Sequence, residues 1–201
     1  MIIRLLVILV LLAGCAKRIP QVSPITPQKS YSELVDEFIS CSGKGKIVSR
    51  GFYQGALSFT FISQNDSSFF QFKDPLGRKA LLMWITPINV TAWNLIENKQ
   101  YAYNQILDFF PFLQVVEPLD ITKFLWGVQP DYKKLNGVDS KVSSHIVLQF
   151  GNEELGSVQN ALVTASFNDN KINQSVNIRI KGRTLQRNEI NLQKVWKLIH
   201  S

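Results

Sequence analysis

The sequence predicts a mainly β protein with some α, built as one curved antiparallel sheet whose aromatic concave face is plugged by short helices. Three observations predict it. Apolar residues recur with period two over much of residues 43–103 and again after residue 145. The segments between those runs are short and carry Asn, Asp, Gly and Pro, so consecutive strands lie side by side as a meander. Hydrophobic residues make up 45% of the 201-residue chain against 18% charged, with 13 Phe, 4 Trp and 5 Tyr. That composition fits one domain with a large core, or a fold that encloses apolar space.

Residues 1–14 stand apart from the fold. Arg4 is a lone basic residue, and Leu5 to Leu12 is an unbroken apolar run too short to span a bilayer as a helix. Leu12-Ala13-Gly14-Cys15 resembles the bacterial lipobox, in which cleavage before the Cys is coupled to acylation of its thiol. The alternative is an ordinary secretory signal with a chance Cys. By the lipobox reading 1–14 is a lipoprotein signal peptide and Cys15 the lipid attachment site. The sorting rules for such proteins, with no Asp beside the Cys, favour the outer membrane. Residues 15–29 hold Pro20, Pro24 and Pro27 and read as an extended tether. Loss of 1–14 removes only Arg4 from a formal net charge of +7, so the remainder stays basic. A basic surface suits anionic lipid head groups or an acidic partner, and it also serves solubility alone. With Cys15 acylated, Cys41 is the remaining thiol and forms no internal disulfide.

Residues 30–201 form the domain. Ser30-Tyr31-Ser32-Glu33 is a capping-box pattern, followed by Tyr31, Leu34, Val35, Phe38 and Ile39 on one helical face. From Gly43 to Arg50 the period is that of a strand. Leu57, Phe59 and Phe61 mark a second, Asn65-Asp66-Ser67 a turn, and Phe70 and Phe72 a third. Val90 to Leu95 and Tyr101 to Tyr103 follow as strands, with Glu97-Asn98-Lys99 between them. Residues 104–135 break the pattern and predict one or two short helices packed into the sheet, Asp120 capping one that Gly127 stops. Strands resume at His145 to Phe150, Ala161 to Phe167, Val176 to Gly182 and Ile190 to about Ile199.

One hairpin is unusual. Phe70-Gln71-Phe72-Lys73 runs into Asp74-Pro75-Leu76-Gly77, and Leu81, Met83 and Ile85 resume the alternation. Asp suits the first turn position, Pro the second and Gly the fourth. Leu76 is thereby held out at the tip, where a polar residue is the ordinary choice. An apolar side chain on a rigid turn points to contact with lipid or with another protein.

The usual catalytic patterns are missing. His145 and His200 have no partner at ligand spacing, so no metal site is expected. No Gly-x-Ser-x-Gly elbow or phosphate-binding loop occurs, and Gly43-Lys44-Gly45 lacks the third glycine of a dinucleotide fingerprint. The expectation is a protein that is not an enzyme, uses no cofactor and binds no nucleic acid. The concave face of Phe59, Phe61, Phe70, Phe72, Leu81, Met83 and Ile85 can hold acyl chains, and it equally makes a closed core.

The order of these features resembles the LolB family of outer-membrane lipoprotein receptors. The resemblance rests on the lipobox at Cys15, Phe59-x-Phe61, Phe70-x-Phe72-x-Asp74-Pro75-Leu76-Gly77, Leu81-x-Met83, Pro118-Leu119-Asp120 leading to Phe124-Leu125-Trp126-Gly127 and Pro130, and Trp196 near the end. It covers roughly residues 38 to 199. The chain departs from the family in Asp74 for Asn, in a shorter segment after Leu125, and in Trp84 and Trp93 on the opposite strand face. The resemblance implies an incomplete antiparallel barrel of about ten or eleven strands enclosing an apolar cavity under a helical lid. Phe109, Phe112, Phe124 and Leu125 would form that lid, and Pro75, Leu76 and Gly77 the membrane-insertion loop. It implies a monomer on the periplasmic face of the outer membrane. Such a protein takes lipoprotein acyl chains from a LolA-like periplasmic carrier and passes them into outer-membrane phospholipid. Two alternatives stand beside it: a lipid- or glycolipid-binding lipoprotein of the same fold, and a structural accessory of an envelope assembly machine.

Overall fold

The computed structural model describes residues 29–52, 54–109, 116–130, 146–155, 158–192 and 195. The expectations for residues 1–28, for Phe112, His145, Trp196 and His200, and for the side chain of Phe109 lie outside them.

Chain order is α1 (Tyr31–Glu37), β1 (Ser40–Arg50), β2 (Gly55–Gln64), β3 (Ser67–Lys73), β4 (Lys79–Ile85), β5 (Val90–Asn94), β6 (Lys99–Tyr101), α2 (Tyr103–Phe109), α3 (Pro118–Leu125), β7 (Ile146–Leu155), β8 (Val158–Asp169) and β9 (Gln174–Gln186). The strands form one antiparallel sheet in the order β6-β5-β4-β3-β2-β1-β9-β8-β7. β6 and β7 are its two edges, so the barrel is incomplete. Nine strands are present among the described residues, fewer than the ten or eleven expected. Of the strand expected over Ile190 to about Ile199, only residues 190–192 and Val195 are described, and these are not in the sheet. Beyond β9 the chain leaves the sheet, and the Val195 amide donates to the Asn191 carbonyl at 3.4 Å, a helical bond. Leu192 and Val195 lie three apart, a helical spacing.

Register explains the core. Phe59 lies opposite Phe72 and Phe61 opposite Phe70 on β2 and β3. Phe70 and Phe72 pair in turn with Met83 and Leu81 on β4. On the other side of β2, Phe59 and Phe61 face Gly45 and Gly43 of β1, whose missing side chains leave room for the rings. Ring centroids of Phe59 lie 5.5 Å from Phe70 and 5.7 Å from Phe72, and Phe70 stacks on Phe72 at 5.6 Å. Such aromatic pairs contribute roughly 0.5–1.5 kcal/mol each beyond their buried area. Ile47, Val176, Ile180, Ala165 and Phe167 continue the same buried face across β1, β9 and β8.

The helices cover this face at one end. α1 carries the complete capping box: the Ser30 amide donates to Glu33 Oε2 at 2.6 Å and the Glu33 amide to Ser30 Oγ at 3.3 Å. Its Tyr31, Leu34, Val35 and the following Phe38 pack on the core, while Ile39 is left exposed. α2 begins at Tyr103, where a strand end was expected. α3 starts one turn earlier than expected: Pro118 occupies its first turn, and Asp120 lies inside the helix, not at its cap.

Candidate functional site

Between the concave sheet and α3 lies a cavity of about 70 Å³ with an apolar wall. β2, β3 and β4 contribute Phe59, Phe70, Phe72, Met83 and Ile85 to it, and α3 contributes Phe124, Leu125 and Ile121. Phe61 and Leu81, expected in the same wall, lie outside it. Phe61 is turned over Gly43, and Leu81 packs partly buried beside the core. The sequence reading missed the contribution of Ile47, Ala165, Phe167, Val176 and Ile178, which β1, β8 and β9 bring from afar. Their period-two spacing was legible, but not their arrival on this wall. Dry apolar cavities of about 150 Å³ hold a benzene ring. The present volume is smaller than that, so an acyl chain enters only if α3 or its neighbours shift.

α3 is fastened most firmly at its C-terminal end. Arg183 of β9 donates from Nε to the Leu125 carbonyl at 2.5 Å, and from its terminal nitrogen to Phe124 and Leu162 carbonyls at 3.1 and 2.8 Å. This brings a cation to the carbonyls of the last turn, which the helix dipole also favours; the Phe124 carbonyl in addition accepts from the Gly127 amide at 3.0 Å. Gly127 turns the chain with φ +90, and a Cβ there would stand 2.9 Å from the same guanidinium. Burial lowers the Arg183 pKa from its ordinary value. It also pushes the neighbouring Cys41 thiol up to about 12, and that thiol donates to the Leu125 carbonyl at 3.5 Å.

A buried polar network closes the same end. Trp126 Nε1 donates to Ser63 Oγ at 2.8 Å, Ser68 Oγ donates to Ser63 Oγ at 3.0 Å, and the Ser68 and Thr122 hydroxyls share a hydrogen bond of 2.8 Å. Tyr31 of α1 stands edge-on to Trp126 with centroids 5.8 Å apart, and its hydroxyl donates to Asp66 at 2.8 Å. Burial, first, and Asp66, second, raise the Tyr31 pKa.

The β3–β4 hairpin holds Leu76 out at 78% exposure. Asp74 organises it: its Oδ1 accepts from the Leu76 and Arg78 amides, both at 2.9 Å, and Oδ2 accepts from Arg78 Nε at 2.7 Å. The Gly77 amide closes the turn on the Asp74 carbonyl at 2.9 Å, with Gly77 at φ 80. Desolvation acts to raise the Asp74 pKa, but the Arg78 side chain and the two amides outweigh it and hold the carboxyl below its ordinary value. Pro75 and Gly77 are exposed beside Leu76.

Among the described residues no group of three or more His, Cys, Asp or Glu could hold a metal ion. No described helix is long and apolar enough to cross a membrane. The chain matches no protein-family model and no curated protein. Among solved structures it is similar to a "putative outer membrane lipoprotein-sorting protein domain" from Vibrio parahaemolyticus, with TM-score 0.42 and 6% identity over 84% of this chain and 97% of that one. It is also similar to a DUF1329 family protein from Desulfovibrio piger, with TM-score 0.37 and 9% identity over 79% of this chain and 90% of that one. At these values the likeness assigns no family; the site stands on its own geometry, an apolar cavity under a pinned helix beside a hairpin that presents leucine to solvent.

Proposed function

We propose that the chain binds the acyl chains of lipoproteins on its concave face and delivers them to the outer membrane, in the manner of a LolB-like receptor. The observation that carries this reading is the apolar cavity between the sheet and α3. The lining is apolar except for Asp120, whose carboxylate is paired with Lys123 at 3.0 Å, and such a wall favours aliphatic over polar cargo, because a polar group placed there loses its water without gaining a partner. Leu76 supports the delivery step: exposing a large apolar side chain on a braced turn is unfavourable in water and becomes favourable once the tip enters lipid. Transfer then needs no nucleotide, only a better affinity at each successive station. Cys15, by its lipobox setting, would anchor the protein on the periplasmic face, with a LolA-like carrier as donor.

The test is a two-step transfer. Protein beginning at Ala16 is mixed with the host's periplasmic carrier loaded with labelled lipoprotein, then with liposomes, comparing Leu76 with Leu76→Glu. Cargo should pass from carrier to both proteins, and into liposomes only from the one with Leu76. Cargo that stays on the carrier refutes the receptor reading and leaves a phospholipid-binding protein of the same build, which native mass spectrometry would identify by its bound lipid.

A further inference from the structure

Large hydrophobic side chains stand exposed at Ile39, Phe52, Leu76, Ile88, Ile96 and Ile172. The sheet topology places four of them at one end, and Ile39 before β1 and Ile88 in the β4–β5 turn at the other. β1, β3, β5 and β8 run toward one end of the sheet, and the hairpins β1–β2, β3–β4, β5–β6 and β8–β9 all turn there. Phe52, Leu76, Ile96 and Ile172 each sit in one of these hairpins, 82%, 78%, 65% and 48% exposed. Every hairpin at this end therefore presents one large apolar residue. Neighbouring hairpins are two strands apart, about 10 Å along the sheet.

The bracing of Leu76 recurs. Asn94 Oδ1 accepts from the Ile96 amide at 3.0 Å, as Asp74 Oδ1 does from that of Leu76, and Asp169 Oδ1 accepts from the Lys171 and Ile172 amides at 2.9 and 3.4 Å. These side chains fix the loop backbone, so three of the tips are held by the same device.

Charge is sorted along the same axis. Arg50, Lys73, Arg78, Lys79, Lys99 and Lys171 lie at or next to these hairpins. The acids there are turned to local work: Asp74 pairs with Arg78, Glu97 accepts from the Tyr101 hydroxyl, and Asp169 is buried. The opposite end carries Glu33, Asp36 and Glu37 on α1, Asp66 in the β2–β3 turn and Glu189 beyond β9; Lys29 and Arg187 lie there too, both paired with Glu37, so acids still outnumber bases.

We propose that Phe52, Leu76, Ile96 and Ile172 together form a face that seats this end of the open barrel on an anionic phospholipid surface. The proposal rests on the reading of Leu76 as a membrane contact and extends it from one loop to the whole rim. Separate apolar tips among cations suit a bilayer, where each tip sinks between head groups on its own while the cations meet lipid phosphate. A protein partner would call for a continuous packed patch at the centre of the interface. The acidic far end turns away from the same negative surface.

The experiment uses the full-length chain with Cys15→Ser. Single cysteines are placed by Phe52→Cys, Leu76→Cys, Ile96→Cys, Ile172→Cys and, at the opposite end, Ile88→Cys. Each is labelled with an environment-sensitive fluorophore and bound to vesicles of phosphatidylethanolamine and phosphatidylglycerol containing a spin-labelled lipid quencher. Cys41, buried with its thiol pushed up to about 12, stays unlabelled. Quenching at least twofold stronger at all four rim positions than at position 88 is the expected result. Quenching at 76 alone overturns the rim and leaves the single-loop reading standing. Quenching that is absent at 76 refutes both, and equal quenching at 88 refutes a defined seating face.

Discussion

At Gly45 a Cβ would meet the Phe59 ring at 2.4 Å and the Arg179 carbonyl oxygen at 2.6 Å. The ring can rock aside, but the carbonyl is fixed in the β1–β9 ladder. Gly45→Ala should therefore cost about 1–3 kcal/mol by overpacking, seen as a lower urea midpoint with unchanged slope. Gly182→Ala is the contrast: its Cβ would rest 3.6 Å from the flexible end of Lys44, and the midpoint should move by no more than about 0.5 kcal/mol. Cys41 makes a second residue-scale prediction. Its thiol is raised from 9.0 to about 12 by burial, so the native protein should resist alkylation at neutral pH and react on unfolding. The raised value also fixes a sign. The stability it contributes is complete below pH 9.0 and lost as pH climbs toward about 12. Some of this was legible in the sequence and some was not. Gly43 and Gly45 were legible as residues of a strand, but only pairing with β2 places Phe59 and Phe61 over them. Ser30 and Glu33 were fully legible because a capping box is local.

The helix α3 owes its position to a cation that no local reading finds: Arg183 follows Leu125 by 58 residues. Arg183→Met keeps the apolar stem and leaves the Phe124, Leu125 and Leu162 carbonyls without this donor, at a cost of roughly 3 kcal/mol. The loosened helix should admit an apolar dye faster than the native protein does, measured by stopped-flow fluorescence. A rate unchanged or lower would place the moving part elsewhere than α3. The β3–β4 hairpin, by contrast, was legible almost residue by residue, because Asp, Pro and Gly each constrain their own turn position. Its brace is an acid with a lowered pKa, so the contribution is present above the ordinary 3.8 and lost as pH falls through the lower folded value. The Leu76 and Arg78 amides should lose exchange protection in that acid range. In Asp74→Asn the amide oxygen can still accept from both, so protection should persist without the acid dependence; in Asp74→Ala it should be absent at every pH.

For the molecule as a whole, the meander and the aromatic wall could be read from period and turn chemistry, because antiparallel neighbours are joined locally. The strand order could not, since β1 pairs with β9 across most of the chain. That pairing brings Ile172 to the same end as Phe52, Leu76 and Ile96, so a rim of tips was present in the sequence as four unrelated turn residues. If the rim meets anionic lipid, raising ionic strength from about 0.05 to 0.5 M should weaken vesicle binding severalfold on phosphatidylglycerol-containing membranes and little on zwitterionic ones, by co-sedimentation. The polar network of Ser63, Ser68, Thr122 and Trp126 has its own consequence at this scale. It sits at the end of the sheet opposite the rim, where β2 turns into β3, so cargo that reaches the cavity from the rim would find that end occupied. Donor and bilayer would then have to use one entrance by turns. A transfer reaction through such a protein should follow ping-pong kinetics, and excess vesicles should slow it by occupying the entrance before cargo arrives.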